Sequence, residues 1–135
     1  YRTYSKHDSL WNTPPTFPWY VMNLMLKWMK NTGGLQAIAT RNNDKASTLY
    51  EFIDNSSFYN NNVKVENRSK VNVTFLLADE NLNESFIKQA DNAGIKAIKG
   101  HSAVGGMRAS IYNAMPIAGV NALIEFMKNF ETANG

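Results

Sequence analysis

Apolar positions in this chain fall into three patterns: one run apolar on nearly every face, several stripes at helical spacing, and a few short alternating stretches. The first covers residues 17–31, where Phe17, Trp19, Tyr20, Val21, Met22, Leu24, Met25, Leu26, Trp28 and Met29 leave a helix almost no polar side. Thr16 is its predicted N-cap and Gly33-Gly34 its predicted stop. Asn23 and Lys27 interrupt the run, and it is too short to span a bilayer. A helix apolar all round must be covered on all sides, inside a larger protein or at a subunit interface. Self-association through Trp19, Met22, Met25 and Trp28 is therefore expected if nothing else covers them.

A second helix is predicted over residues 35–54, with Leu35, Ile38, Ala46, Leu49, Tyr50 and Ile53 as its apolar stripe. Residues 55–62, rich in Asn and Ser, read as a loop, and residues 63–66 as a short strand. Alternation over residues 71–77 predicts a strand with one covered face. Asn81-x-x-Glu84 has the form of a capping box opening a helix to Ala93, with Phe86, Ile87 and Ala90 inward and Gly94 as the stop. Residues 95–98 and 107–112 are predicted strands. Pro116 opens a last helix with Val120, Leu123, Ile124, Met127 and Phe130 on its buried side. From residue 63 the order is β-β-α-β-β-α behind two helices, an α+β arrangement with helices on one face of a small, mostly antiparallel sheet.

Composition narrows the functional classes. At 135 residues the chain is one domain's worth. It has no cysteine, hence no disulfide, thiolate site or cysteine nucleophile, and its two histidines, His7 and His101, have no metal-ligand spacing, so no metal is expected. The net charge of +3 is scattered, without a basic run or aromatic repeat suited to nucleic acid. Sequons at Asn55, Asn67, Asn72 and Asn83 are what abundant asparagine produces by chance, and no signal peptide opens the chain. The start at Tyr1, without an initiator methionine, suggests a fragment or a processed product.

The candidate chemistry lies in Gly100-His101-Ser102-Ala103-Val104-Gly105-Gly106-Met107-Arg108. Glycines allow a sharp bend or a close approach, and an arginine just beyond them offers a planar fork to a carboxylate or phosphate. Alternation sends Met107, Ala109 and Ile111 to one face and Arg108, Ser110 and Tyr112 to the other, so Arg108 projects away from the helices. His101 is the best candidate for a second anion contact or a proton carrier. On the residues alone, a plain turn with a surface arginine and a solvated histidine fits equally and is the commoner outcome. Asn12 and Thr13, short hydrogen-bonding groups stiffened by Pro14-Pro15, suit a phosphate or simply a turn before the long helix.

Two segments are specific. Ser9-Leu10-Trp11-Asn12-Thr13-Pro14-Pro15-Thr16-Phe17 resembles the S-L-x-N-T-P-P-T-F segment of the phosphoserine aminotransferase family. Gly100-His101 with Val104-Gly105-Gly106-Met107-Arg108-Ala109-Ser110-Ile111-Tyr112-Asn113-Ala114 is similar to its C-terminal signature G-H-R-S-V-G-G-M-R-A-S-I-Y-N-A. Gly33-Gly34-Leu35, Asp54-Asn55-Ser56 and Val71-Asn72-Val73 agree as well, so the resemblance covers nearly the whole chain.

The resemblance implies a class V, pyridoxal 5'-phosphate-dependent transaminase of the aspartate aminotransferase-like fold (fold type I), homodimeric and cytoplasmic. Such enzymes exchange an amino group between glutamate and 3-phosphohydroxypyruvate, and in many bacteria also act on the phosphorylated four-carbon precursor of pyridoxine. This chain would be the last two-fifths: residues 1–33 ending the large domain and residues 34–135 forming the small one. The Schiff-base lysine would lie N-terminal to it, leaving no catalytic residue here and the piece alone inactive. Asn12 and Thr13 would bind the cofactor phosphate across the dimer interface, Arg108 the substrate α-carboxylate and His101 the substrate phosphate. No nucleic acid or membrane partner is implied. Ser102 departs from the arginine usual after the histidine, with Lys99 nearby as a substitute charge. Another class V transaminase, or a free-standing α+β domain that binds a small acid without chemistry, are the competing expectations.

Overall fold

Proline and glycine punctuate the first part of the chain. In the computed structural model, which describes residues 1–135, the chain forms two compact units, Tyr1–Ile38 and Ala39–Gly135. The first begins with a short helix, α1 (Arg2–Lys6), that the polar sequence did not announce. It closes in a turn where Ser9 N–H reaches the Tyr4 carbonyl at 2.8 Å, with Asp8 and Ser9 at positive φ and the His7 ring against Trp11. Helix α2 (Thr16–Asn31) follows the predicted run. Its N-cap is Pro15 and not Thr16: Trp19 N–H donates to the Pro15 carbonyl at 3.2 Å, so the helix begins one residue earlier and no side chain caps it. Pro18 in the first turn loses no intrahelical bond there. Not one residue of α2 is buried within its unit; Trp28 and Met29 are half-buried and the other large apolar side chains exposed. Gly33 and Gly34, at φ +102 and +73, end the helix as expected.

Helix α3 (Gly34–Asp54) runs from the first unit into the second. In the second, Ala46, Leu49, Tyr50 and Ile53 join the core, but Leu35 does not share their stripe: it is 76% exposed, on the first unit. The sheet has three antiparallel strands in the order β1-β2-β3: β1 (Tyr59–Asn60), β2 (Asn72–Leu77) and β3 (Met107–Ser110). Register pairs Tyr59 with Leu77, Thr74 with Arg108 and Asn72 with Ser110. Val73, Phe75 and Leu77 of β2 and Met107 and Ala109 of β3 face one cluster with α3, α4 (Asn83–Asn92) and α5 (Ile117–Asn134). All five residues predicted for the inner side of α5 are buried. Phe86 of α4 stands edge-on to Tyr59, Phe75, Phe126 and Phe130, with ring centroids 5.0–6.1 Å apart, a favourable aromatic geometry.

Local chemistry overrides the pattern in five places. The expected loop over residues 55–62 contains β1. Residues 63–66 form no strand: Val65–Asn67 is a 3₁₀ turn, and Val63 and Val65 are exposed. There the Asn61 side chain accepts from Val63 N–H and donates to the Thr74 carbonyl, occupying the edge a strand would need. Before α4, the side chain of Asp79 caps a 3₁₀ turn (Glu80–Leu82) by accepting from Asn81 N–H at 2.9 Å, so Asn81 and Glu84 make no capping box. Residues 95–98 are not a strand because Ala97 takes φ +57; only Lys99 bridges to Met107. A cavity of about 290 Å³ remains between that segment, β3 and the start of α5. Finally, β3 stops at Ser110, and Pro116 is the N-cap of α5. The order is therefore β-β-α-β-α.

Candidate functional site

The glycine-rich segment is the tip of a hairpin. Gly100 N–H donates to the Gly106 carbonyl at 2.8 Å and Arg108 N–H to that of Ile98 at 2.7 Å, while Val104 and Gly105 N–H both donate to the His101 carbonyl. Two glycines are obligatory. A Cβ on Gly106, at φ +61, would collide with the Leu76 side chain and the Phe75 carbonyl; one on Gly100 would meet the Gly105 carbonyl. The hairpin therefore lies directly on β2, and its first strong side chain beyond the turn is Arg108.

His101 stands exposed at the hairpin tip, and Ala103 N–H donates to its Nδ1 at 3.2 Å. With Nδ1 accepting, the neutral ring carries its proton on Nε2, which leaves an N–H free for an anion. Ser102 lies in the exposed turn beside it, and Lys99 borders a groove along α4 with Glu84 and Lys88.

Arg108 projects from the sheet face opposite the helices, half-buried, with Thr74 across the ladder. Its Nε is fully buried and has no hydrogen-bond partner, and no carboxylate of the chain pairs with its guanidinium. An arginine held this way has its fork free for a bidentate carboxylate or phosphate. On the same face Ser110 donates to Asn72 Oδ1 at 3.1 Å, and hydrogen bonding with Ser110, then Asn72, lowers the pKa of the exposed Tyr112 phenol below its ordinary 10.0, with Arg108 adding to the effect. The polar row Arg108, Ser110, Tyr112 is the alternation expected from sequence.

Asn12 and Thr13 lie in the first unit, between the α1 turn and α2, both exposed. Their amide and hydroxyl groups make no hydrogen bond within the chain, and the donor set suits a phosphate. Arg108 and His101 belong to the second unit.

Sequence reasoning missed Lys45 and Asn42. Lys45 is 2% exposed, and its ammonium donates to the carbonyls of Ile111 (3.0 Å), Tyr112 (2.7 Å) and Met115 (2.9 Å). Burial, and then Arg41, push its pKa down. Asn42, one turn earlier, donates to Asn113 Oδ1 at 2.8 Å. The signal was present: Ile38, Asn42, Lys45 and Leu49 follow helical spacing, so the stripe placed a lysine inside.

A glycine-rich hairpin carrying an arginine without an internal partner, on an α+β unit, defines a class of module, and similarity names the family. The Aminotransferase class-V family model matches residues 1–123, and the chain belongs to that family. It is 57% identical to the phosphoserine aminotransferase of Shewanella woodyi over 99% of this chain, and 55% identical to that of Shewanella sediminis over the same share. It spans 37% of the length of each of these relatives. Among solved structures, the phosphoserine aminotransferase from Bacillus circulans subsp. alkalophilus superimposes with a TM-score of 0.93 at 46% identity, covering all of this chain and 38% of that one. A pyridoxal-phosphate-bound phosphoserine aminotransferase from Trichomonas vaginalis matches at 0.87 and 38% identity, over 95% of this chain and 37% of that one.

Proposed function

We propose that the chain is the C-terminal portion of a phosphoserine aminotransferase, which moves an amino group between L-glutamate and 3-phosphohydroxypyruvate to give O-phospho-L-serine. The observation that carries this reading is identity of 57% across 99% of the chain to a relative of that name, joined to a half-buried arginine with no internal partner. The same site suits the four-carbon phosphorylated substrate of pyridoxine synthesis, which offers the same carboxylate and phosphate.

Residues 1–33 then end the large domain and residues 34–135 form the small domain, a boundary just ahead of the division between the two compact units. The exposed apolar side chains of α2 are covered by the rest of the large domain and by a second subunit of a cytoplasmic homodimer. No helix of the chain is long and apolar enough to cross a membrane.

Pyridoxal phosphate, when bound, supplies the electron sink for the transfer. The lysine that anchors it belongs to the preceding part of the protein, so no residue here is catalytic. Asn12 and Thr13 hold the cofactor phosphate of the partner subunit's site. Arg108 grips the α-carboxylate of either acid substrate and fixes its orientation. The Nε2–H of His101 donates to the substrate phosphate.

The test is Arg108→Ala in the complete enzyme. Loss of a charge-assisted carboxylate pair of about 1.5–3 kcal/mol raises KM for glutamate and for the phosphorylated keto acid by about tenfold to a hundredfold. Unchanged KM for both acids contradicts the assignment.

A further inference from the structure

Lys45 is the one cation of the second unit enclosed in the core, and it has no carboxylate beside it. Burying a charge is costly unless it is hydrogen-bonded. Here all three protons go to carbonyls of one five-residue segment, 111–115, that leaves the strand carrying Arg108. Helix packing alone would be served by an apolar side chain of the same length. The arrangement answers a specific weakness of β3. One edge of the strand pairs with β2, whereas the other is held only at its start by the Lys99–Met107 bridge, through Gly100 N–H to the Gly106 carbonyl and Arg108 N–H to the Ile98 carbonyl, because residues 95–97 bend away beside the cavity. Beyond Ser110 the ladder ends, and Ile111 N–H keeps a single bond to the Val71 carbonyl. The ammonium supplies the partners that a neighbouring strand would otherwise give, and Asn42 adds a grip on Asn113.

We infer that Lys45, assisted by Asn42, is a positioning residue: it pins the exit of β3 so that Arg108 and Tyr112 present their polar groups to a carboxylate in one fixed geometry. This rests on the reading of Arg108 as the carboxylate clamp. The lowering of the Lys45 pKa by burial, and then by Arg41, reports the cost of enclosing the charge, which the carbonyl cage offsets.

The experiment uses the complete holoenzyme and measures binding of 2-oxoglutarate, the keto acid of glutamate, by calorimetry, alongside KM, kcat and the melting temperature. Misplacing a gripping group by about 1 Å costs up to about a hundredfold. In Lys45→Met, 2-oxoglutarate is expected to bind about tenfold more weakly and KM for both acids to rise in parallel, with kcat within about twofold. Lys45→Arg, which keeps the charge and the donors, is expected to recover part of the loss. Should Lys45→Met fail to fold, Asn42→Ala is the second variant, with an expected weakening of about threefold. A folded variant that melts lower but binds 2-oxoglutarate like the parent overturns the inference and leaves Lys45 a strut. Arg108→Ala in the same calorimeter separates the two readings. If it weakens binding while the Lys45 and Asn42 variants do not, positioning alone falls; if it has no effect, the carboxylate clamp falls and the inference with it.

Discussion

Ala103 N–H donates to His101 Nδ1 at 3.2 Å, so the turn that follows the histidine decides which ring nitrogen faces outward. The Nε2–H is then the group on offer to a phosphate. In the complete enzyme, His101→Ala is expected to raise KM for the phosphorylated keto acid about fivefold, the worth of one hydrogen bond of about 1 kcal/mol, and to leave KM for glutamate unchanged. Steady-state kinetics with each substrate varied in turn checks this. An equal rise for both would place His101 at the carboxylate instead.

Ser102 makes a companion test, since the resemblance leads one to expect an arginine there. Ser102→Arg adds a charged donor beside His101 and is expected to lower KM for the phosphorylated substrate about tenfold. An unchanged KM means that the hairpin tip points its second position away from the phosphate.

Gly106 fixes how closely the hairpin lies on β2. Gly106→Ala forces a Cβ against Leu76 and the Phe75 carbonyl at a left-handed φ of +61. A loss of about 2 kcal/mol or more in urea unfolding of the chain is expected. A change below about 0.5 kcal/mol would mean that the turn is not held as described.

Arg68 and Asp54 form a two-pronged pair at 2.6 and 2.8 Å, with the guanidinium 4.6 Å from the centre of the Tyr50 ring. The hydrogen bond from Arg68 holds the Asp54 carboxyl below its ordinary 3.8. A carboxylate with a depressed folded pKa contributes stability above its unfolded pKa and loses it as pH falls through the folded one. The pair is partly exposed, so Asp54→Asn should cost less than about 1 kcal/mol at pH 7. That difference should shrink as pH falls below the ordinary carboxyl value of 3.8 and through the lower folded one. Urea midpoints of both proteins across pH 3–7 check the sign: a gap that widened on acidification would contradict it.

Where burial alone decides, the sequence was readable. The α5 stripe, the inner face of β2 and the two-sided alternation of Met107 and Arg108 all follow from periodicity. What escaped were substitutions of side chain for backbone. Asn61 takes the place of a strand at the Thr74 carbonyl, Asp79 caps in place of Asn81, and Lys45 replaces a strand partner at the end of β3. A polar side chain that completes a ladder looks, in sequence, like any other polar residue. The motifs around Asn12-Thr13 and Arg108 stood out because glycine, proline and arginine leave sharp signatures; the carbonyl cage around Lys45 left only a lysine on an apolar stripe.

That this chain belongs to an enzyme making phosphoserine is a proposal. Its most direct test is the formation of O-phospho-L-serine by the complete holoenzyme, given L-glutamate and 3-phosphohydroxypyruvate. Phosphoserine and 2-oxoglutarate are expected to appear in equal amounts, and turnover at low substrate to fall about tenfold or more in Arg108→Ala. A folded, cofactor-loaded enzyme that yields no phosphoserine would contradict it.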